Sequence, residues 1–381
     1  MLMVLILISW IIYSIVVVIY LNILTRKYLV PVKRDELIGD AKLKSYSEVV
    51  EHYKNQDEIN VLVLSGGGVR GLAPLYSLIE LENLTNSKTG ELFDFIAGTS
   101  VGAISAAVFA VDDGHGGYKY AAKDLENSYS ENIIRMFKTT FIHSLLTLFG
   151  VFAPRYLPDS KMEVLHEYFG DGTLSKLKGN ILVPVYNIDT NNLQMVKNWD
   201  SPQGKKSNGN YLVKDLINGA SSPPMIFPPL SFAISKESHL FIDPAVLLNN
   251  PVLYVLIYLK ALFPDKHINL VVVGNGGTND ANYDYRHMFS FGLYGLYQYL
   301  FSAPSLGSKL SIEMIEDIML ETQNVDNKFS FYRINSIPIE ALSSTNPSIR
   351  NIHRVRRFGR RMAQENMELI RKIADVVGKN R

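Results

Sequence analysis

The stretch Gly98-Thr99-Ser100-Val101-Gly102 sets a serine between glycines in the spacing G-x-S-x-G. Between a strand and a helix, that spacing permits a sharp, strained turn that lifts the hydroxyl clear of a sheet, as a nucleophile requires. The same turn puts Ser100 at a helix N-terminus, where oriented dipoles favour developing negative charge. Upstream, "SGGGVRG" places Gly66, Gly68 and Gly71 in G-x-G-x-x-G directly after the apolar run "VLVL". A glycine turn of this kind aims several backbone N–H groups at one spot. Such a spot suits a nucleotide pyrophosphate or the oxyanion of an acyl-transfer intermediate equally well. The next strand separates the two. A dinucleotide unit needs an acidic residue about 20 positions beyond the glycines, whereas here "FDFIAG" runs straight into the serine turn. The nucleotide reading therefore loses to acyl transfer.

A serine nucleophile also needs a proton acceptor, most often a histidine held by a carboxylate. The histidines after Ser100 are His115, His143, His166, His239, His267, His287 and His353, and none sits in a distinctive loop. A carboxylate can take the proton directly when it is within reach and partly desolvated. Asp243 in "HLFIDPAVLLNNP" is the best placed, because it ends an apolar strand, where the functional groups of an open α/β sheet collect. Asn249-Asn250-Pro251 then supplies turn chemistry before the next helix.

These residues need a layered frame. The runs "VLVLS", "FDFIAG", "ILVPVYNI", "LFID" and "INLVVVGNG" alternate with helical patterns over Leu72–Leu84, Val101–Ala110, Lys161–Tyr168 and Val252–Leu262. Alternation with nearly continuous apolar strands predicts an α/β fold with a mostly parallel central sheet buried on both faces. At 381 residues the chain is long enough for a substantial core. Its 38 basic and 37 acidic residues leave no global attraction to nucleic acid. The absence of cysteine removes disulfides, thiolate metal sites and a thiol nucleophile, and no histidine spacing suggests zinc.

The N-terminal stretch Leu2 to Leu24 carries no charged side chain and meets the length of about 20 residues that a bilayer requires. It opens on Met-Leu-Met rather than on basic residues and is longer than a signal-peptide core of about 7–15 residues, so a retained transmembrane anchor is expected. Arg26, Lys27, Lys33 and Arg34 follow it, which by the positive-inside bias puts the remaining chain on the cytoplasmic side. Thr139 to Pro158, "TTFIHSLLTLFGVFAPRYLP", reads either as a buried helix or as a cap that dips into a lipid interface. The basic run Arg354, Arg356, Arg357, Arg360 and Arg361 suits anionic headgroups or carboxylates of the protein itself.

Taken in order, these motifs resemble the patatin-like phospholipases, over roughly Val61 to Gly277. The glycine motif is similar to Gly66-Gly67-Gly68-Val69-Arg70-Gly71 and the elbow to Gly98-Thr99-Ser100-Val101-Gly102. The family's alanine- and serine-rich segment resembles "NGASSPPMIFPPL", and its Asp-Gly-Gly/Ala motif Asp243-Pro244-Ala245. The resemblance implies a three-layer sandwich and a Ser–Asp dyad, with Ser100 as nucleophile and Asp243 as proton acceptor. It also implies an oxyanion hole from Gly66, Gly67 and Gly68, and a loop steadied by Arg70 unless that side chain meets a lipid phosphate. No metal or organic cofactor is implied, and the partner is membrane phospholipid. Pro244 departs from the family's glycine, fixing φ and removing an N–H beside the expected base.

The expected organisation is a transmembrane anchor at 1–25, a juxtamembrane linker at 26–58, a catalytic domain at 59–280 and a C-terminal helical extension at 281–381 packed upon it. The expected activity is hydrolysis of fatty-acyl esters of phospholipids or lysophospholipids at a membrane. A Ser-His-Asp esterase, a lipid-binding scaffold with a degenerate dyad, and an effector switched on by a second messenger stand as alternatives.

Overall fold

A computed structural model of the chain describes residues 2–39, 41–202, 210–234, 237–276, 312–318 and 328–378. The aromatic-rich stretch "FSFGLYGLYQYLFSAPSLG" and His287 lie outside the described residues.

Strand patterning sets the architecture. In β2 (Glu58–Leu64), Ile59, Val61 and Val63 enter one apolar cluster while Leu62 and Leu64 enter another on the opposite face. The same division recurs in β3 (Phe95–Gly98), where Phe95 and Ala97 oppose Ile96, and in β8 (His267–Val273), where Leu270 and Val272 oppose Val271 and Val273. Alternate side chains of a strand point to opposite faces, so an unbroken apolar run must be covered on both. One face is covered by the helices Leu72–Thr85, Val101–Phe109, Ala122–Met136, Asp159–Phe169, Val213–Ala220, Ile349–Glu365 and Met367–Val377, and the other by Tyr46–His52, Val252–Leu262 and 312–318. The result is the expected α/β three-layer sandwich.

The sheet contains β1 (Val32–Lys33), β2, β3, β4 (Asn180–Asn187), β5 (Asn192–Lys197), β6 (Leu230–Ile234), β7 (Glu237–Ile242), β8 and β9 (Phe329–Ile334). Its order is β1-β6-β7-β4-β3-β2-β8-β9, with β5 on β4. Pairing is parallel throughout except at β5 and β7. β2, β3 and β8 end in step, since Leu64 is the register partner of both Gly98 and Val273. Their following loops therefore share one edge of the sheet.

The segments flanking the central region are woven into it. Residues 26–58 supply β1 and an ion pair in which Arg34 Nε meets the buried Asp215 carboxylate at 2.6 Å. The same stretch, expected as a linker, also forms the helix Tyr46–His52, whose start is fixed by a reciprocal capping box of Ser45 and Glu48. At the other end, β9 extends the sheet beside β8, and Ile352, Val355, Phe358 and Met362 of the following helix enter the main core. The alternating pattern of "FSFYRI" is too short to stand out among loops, so sequence alone gave that region only helices.

The arginine run serves the protein itself. Arg354 and Arg357 meet Glu340, Arg356 meets Glu126, Arg361 meets Glu365, and Arg360 lies over the Tyr76 ring. The segment Thr139 to Pro158 is no buried helix: Phe141, Ile142, Phe149 and Val151 are all exposed. Only the short helix Phe141–Leu146 forms there, and it lies beside the N-terminal helix Leu2–Tyr28.

Candidate active site

The sheet brings the expected nucleophile and base together by an end-to-end meeting of strands. β5 lines one edge of β4 from Leu182 to Asn187. The opposite edge is shared by β3, with Ala97 against Leu182, and then by β7, with Ile242 against Tyr186. β3 runs parallel to β4 and β7 antiparallel, so their C-terminal ends face each other. Ser100 follows one end and Asp243 the other.

Ser100 caps the helix Val101–Phe109 with φ 57° and ψ −123°, a conformation disfavoured for a side chain bearing Cβ and typical of over-determined functional turns. Small residues hold it there. A Cβ on Gly98 would come within 2.2 Å of Gly102 O, and one on Gly102 within 2.4 Å of Leu64 O. Helix and strands thus approach backbone to backbone, and Thr99 Oγ1 ties the turn to Leu248 O at 3.0 Å.

Asp243 is buried. Its N–H donates to Ser222 O at 3.0 Å and its Oδ1 accepts from Ala245 N–H at 2.8 Å. Oδ2 is buried without a formed hydrogen bond, while the neighbouring Ser100 hydroxyl favours the ionised carboxyl. Burial pushes the Asp243 carboxyl up to about 6, against the lowering effects of Ser100, the Ala245 N–H and Lys161. Pro244 opens a 3-10 turn for which Asp243 is the N-cap. At that position the proline's fixed φ is suited and its missing N–H is not needed, and Ala245 supplies the donor.

Two glycine amides are free. The N–H of Gly66 is taken by Asn249 O at 3.0 Å and that of Val69 by Ser344 O at 2.9 Å. Among the described residues the N–H groups of Gly67 and Gly68 donate to no acceptor. The expected trio thus narrows to a pair. Gly68 has φ +53°, and a Cβ there would fall 2.1 Å from Ser344 O, so only glycine fits. Asn275 Nδ2 donates to Gly66 O, and Tyr129 Oη donates to Gly68 O at 3.1 Å. Arg70 is buried with Nη1 on Gly276 O at 3.0 Å, and Gly71 abuts Val101. Arg70 therefore braces the loop.

Ser100, Asp243, Gly67 and Gly68 line one cavity of about 360 Å³ whose other walls are largely apolar, including Ile133, Phe137, Met225, Ile226 and Leu247. No histidine lines it among the described residues. His239 instead packs among Tyr211, Phe232 and Phe241. Sequence reasoning missed Tyr129, Lys161 and Ser344, which belong to no local motif. Asn249 reads from sequence only as a turn residue and Asn275 only as the end of an apolar run.

A parallel-sheet sandwich here carries a G-x-S-x-G elbow, a glycine amide loop and a buried aspartate around one apolar cavity, the layout of a lipid hydrolase scaffold. Residues 62–256 match the family model "Patatin-like phospholipase", and the chain belongs to that family of lipid hydrolases. It is 28% identical over 356 residues to the "cGAMP-activated phospholipase" of Vibrio cholerae, covering 85% of this chain and 95% of that relative. It is 30% identical to a protein of the same name from Pseudomonas aeruginosa, covering 58% of this chain and 62% of the relative. "Patatin-like protein 4" of Arabidopsis thaliana is 28% identical over 51% of this chain, which spans only 50% of that protein's length.

Proposed function

We propose that this chain is a membrane-anchored serine acyl hydrolase that cleaves fatty-acyl esters of phospholipids or lysophospholipids. The observation that carries the reading is the strained Ser100 turn facing a buried carboxylate and two amides that donate to no acceptor among the described residues, across one apolar cavity. Ser100 Oγ attacks the ester carbonyl carbon while Asp243 takes its proton, and the oxyanion forms against the N–H groups of Gly67 and Gly68. The tetrahedral adduct collapses, the lysolipid or glycerophosphodiester alkoxide leaves, and Asp243 returns the proton to it. Water, deprotonated by Asp243, then attacks the acyl-Ser100 carbonyl; the acyl–Oγ bond breaks, the fatty acid leaves and Asp243 returns the proton to Ser100 Oγ. Lipid analysis of cells expressing the wild type against Ser100→Ala tests this: unchanged phospholipid and free fatty acid pools would refute phospholipase action. Labelling of Ser100 by a fluorophosphonate probe separates an enzyme from a lipid-binding scaffold.

Anchoring rests on the helix Leu2–Tyr28, of which Ile6–Tyr28 is apolar, long enough to span a bilayer and almost wholly exposed. The exposed apolar side chains at Phe141–Phe152 add an interfacial cap to the same reading. Extraction of the expressed protein at alkaline pH tests it; release into the soluble fraction would argue against a span.

The reading also includes activation by a cyclic dinucleotide, supported by the name of the Vibrio relative and its 95% coverage. Hydrolysis measured with and without cGAMP decides that point, equal rates counting against it.

A further inference from the structure

Lys161, on the helix Asp159–Phe169, is buried at the edge of the cavity. Its Nζ lies 3.0 Å from Asn218 O, 2.9 Å from Ser221 O, 2.8 Å from Ser222 Oγ and 3.3 Å from Ser221 Oγ. The hydrogens of both hydroxyls are already committed, since Ser221 Oγ donates to Ile217 O at 2.6 Å and Ser222 Oγ to Asn218 O at 2.7 Å. Every polar neighbour of Nζ is therefore an acceptor, and the face of the Phe227 ring lies 4.3 Å away. A neutral amine would bring a lone pair against acceptor lone pairs, whereas an ammonium presents three hydrogens and no lone pair. The cage fits the charged form.

The segment so held is the one from which the aspartate hangs, because Ser222 O accepts the Asp243 N–H. Asp243 is also the charged group that acts on Lys161, and Lys161 the one that acts on Asp243. Other charges on the surrounding elements are engaged elsewhere: Asp159 with Lys27, Asp215 with Arg34, Lys214 with Asp171, Glu126 with Lys123, and Arg70 with the Gly276 carbonyl. Glu163, His166 and Glu167 of the same helix are exposed.

We propose that Lys161 is the buried counter-cation of the Ser100–Asp243 pair, an ammonium that pins the Asn218–Ser222 turn and supplies the positive charge the buried carboxylate requires. This rests on the dyad reading above. A lone buried carboxylate is strongly disfavoured in its charged form, and an opposite charge nearby restores it. Burial pulls Lys161 down to about 7 and the Asp243 charge opposes that pull, so the two groups sustain each other's ionisation. Lys161 touches no reacting atom and acts as a positioning residue.

The test is the pH profile of kcat/KM on a short-chain p-nitrophenyl ester for wild type, Lys161→Met and Lys161→Arg. Removing the cation raises the acid limb of the profile by about one pH unit or more, and arginine restores most of that shift. A lower plateau with an unmoved limb would overturn the proposal, since loss of packing alone does not displace a titration. If Lys161→Met folds poorly, the Lys161→Met/Asp243→Asn pair decides. The gain in stability from Asp243→Asn at pH 8 is larger in the Lys161→Met background than in the wild type, and an equal or smaller gain overturns the idea. Ser100→Ala and Asp243→Asn are run alongside. If both retain activity, the dyad reading fails; if both are inactive and the Lys161→Met limb stays put, only the counter-cation fails.

Discussion

The backbone N–H of Val69 donates to the carbonyl of Ser344 at 2.9 Å, which ties the glycine loop to the C-terminal part of the chain. Ser344 and Thr345 also line the cavity. That part is held in turn by Asn351 Nδ2 on Ser343 O at 2.9 Å and by the helix Ile349–Glu365 packed on Leu72–Thr85. The residues after β9 thus help to hold the glycine loop, and a chain cut after β8 lacks the contact that engages the Val69 amide.

Gly68→Ala tests that clamp. The substitution places a Cβ 2.1 Å from Ser344 O at φ +53°, and an ordinary residue in the left-handed region costs roughly 1–2 kcal/mol before any clash. The expected result is at least a tenfold fall in ester hydrolysis with a lowered Tm. Wild-type kcat in a well-folded Gly68→Ala protein would mean the loop has no role in the oxyanion site.

Asp243 carries a pH signature. Its carboxyl, held up at about 6 by burial, must be ionised to accept the Ser100 proton, so kcat/KM should rise with pH through about 6 and level off above it. Stability runs the other way. A folded-state pKa raised above the unfolded value near 3.8 stabilises the fold at low pH and loses that contribution as pH climbs through about 6. Asp243→Asn keeps an acceptor for the Ala245 N–H, removes the charge, and should be more stable than wild type at pH 8 by about 1–3 kcal/mol. The same variant should lose about 10²–10⁴ in rate, the usual range for a general base. Denaturant titrations at pH 5 and pH 8 check the sign; a destabilised Asp243→Asn at pH 8 would contradict it.

Much of this site could be read from local sequence because its central parts are local. The elbow needs small residues at Gly98 and Gly102 around Ser100, and those needs are met within five consecutive positions. The two-faced strands announced themselves through unbroken apolar runs. What stayed hidden depends on the fold bringing distant residues together. Lys161 looks like any helical lysine until Asn218, Ser221 and Ser222 surround it. Ser344 sits in an unremarkable polar stretch, and only the clamp on Val69 reveals it. Gly66 was grouped with its neighbours because sequence cannot show that Asn249 already holds its amide.

Pro244, where the family resemblance implies glycine, should prove helpful to the fold and indifferent to chemistry. It stands at the first position of the turn capped by Asp243, where a rigid φ reduces the entropy of the unfolded chain at no strain. Pro244→Gly is expected to lower stability by about 0.4–1 kcal/mol while leaving kcat within about twofold, since the Ala245 N–H still orders Oδ1. A large gain in kcat on restoring glycine would show that the proline distorts the base.

The apolar cap offers a test of how substrate reaches the cavity. Tyr13 Oη donates to Leu145 O at 3.1 Å, and Tyr20 Oη meets His143 Nδ1 at 2.8 Å, so the segment lies along the N-terminal helix. Its polar groups are turned inward: His143 Nε2 meets Pro154 O at 2.9 Å and Thr147 Oγ1 donates to His143 O at 2.8 Å. Its outer face is Phe141, Ile142, Phe149, Val151 and Phe152. Internally satisfied polar groups beneath an apolar exterior are what a lipid-immersed segment requires. The segment then leads to the cavity, because the N–H of Arg155 donates to Met225 O and that of Tyr156 to Ile226 O, both at 2.9 Å. Each buried phenylalanine contributes roughly 1.5–3 kcal/mol of transfer free energy. Phe141→Asp/Phe149→Asp should therefore depress hydrolysis of vesicle phospholipid at least tenfold while a soluble p-nitrophenyl ester is turned over within about twofold. Equal losses on both substrates would place the defect in the folded site, and no loss on vesicles would remove the cap from the path of the lipid.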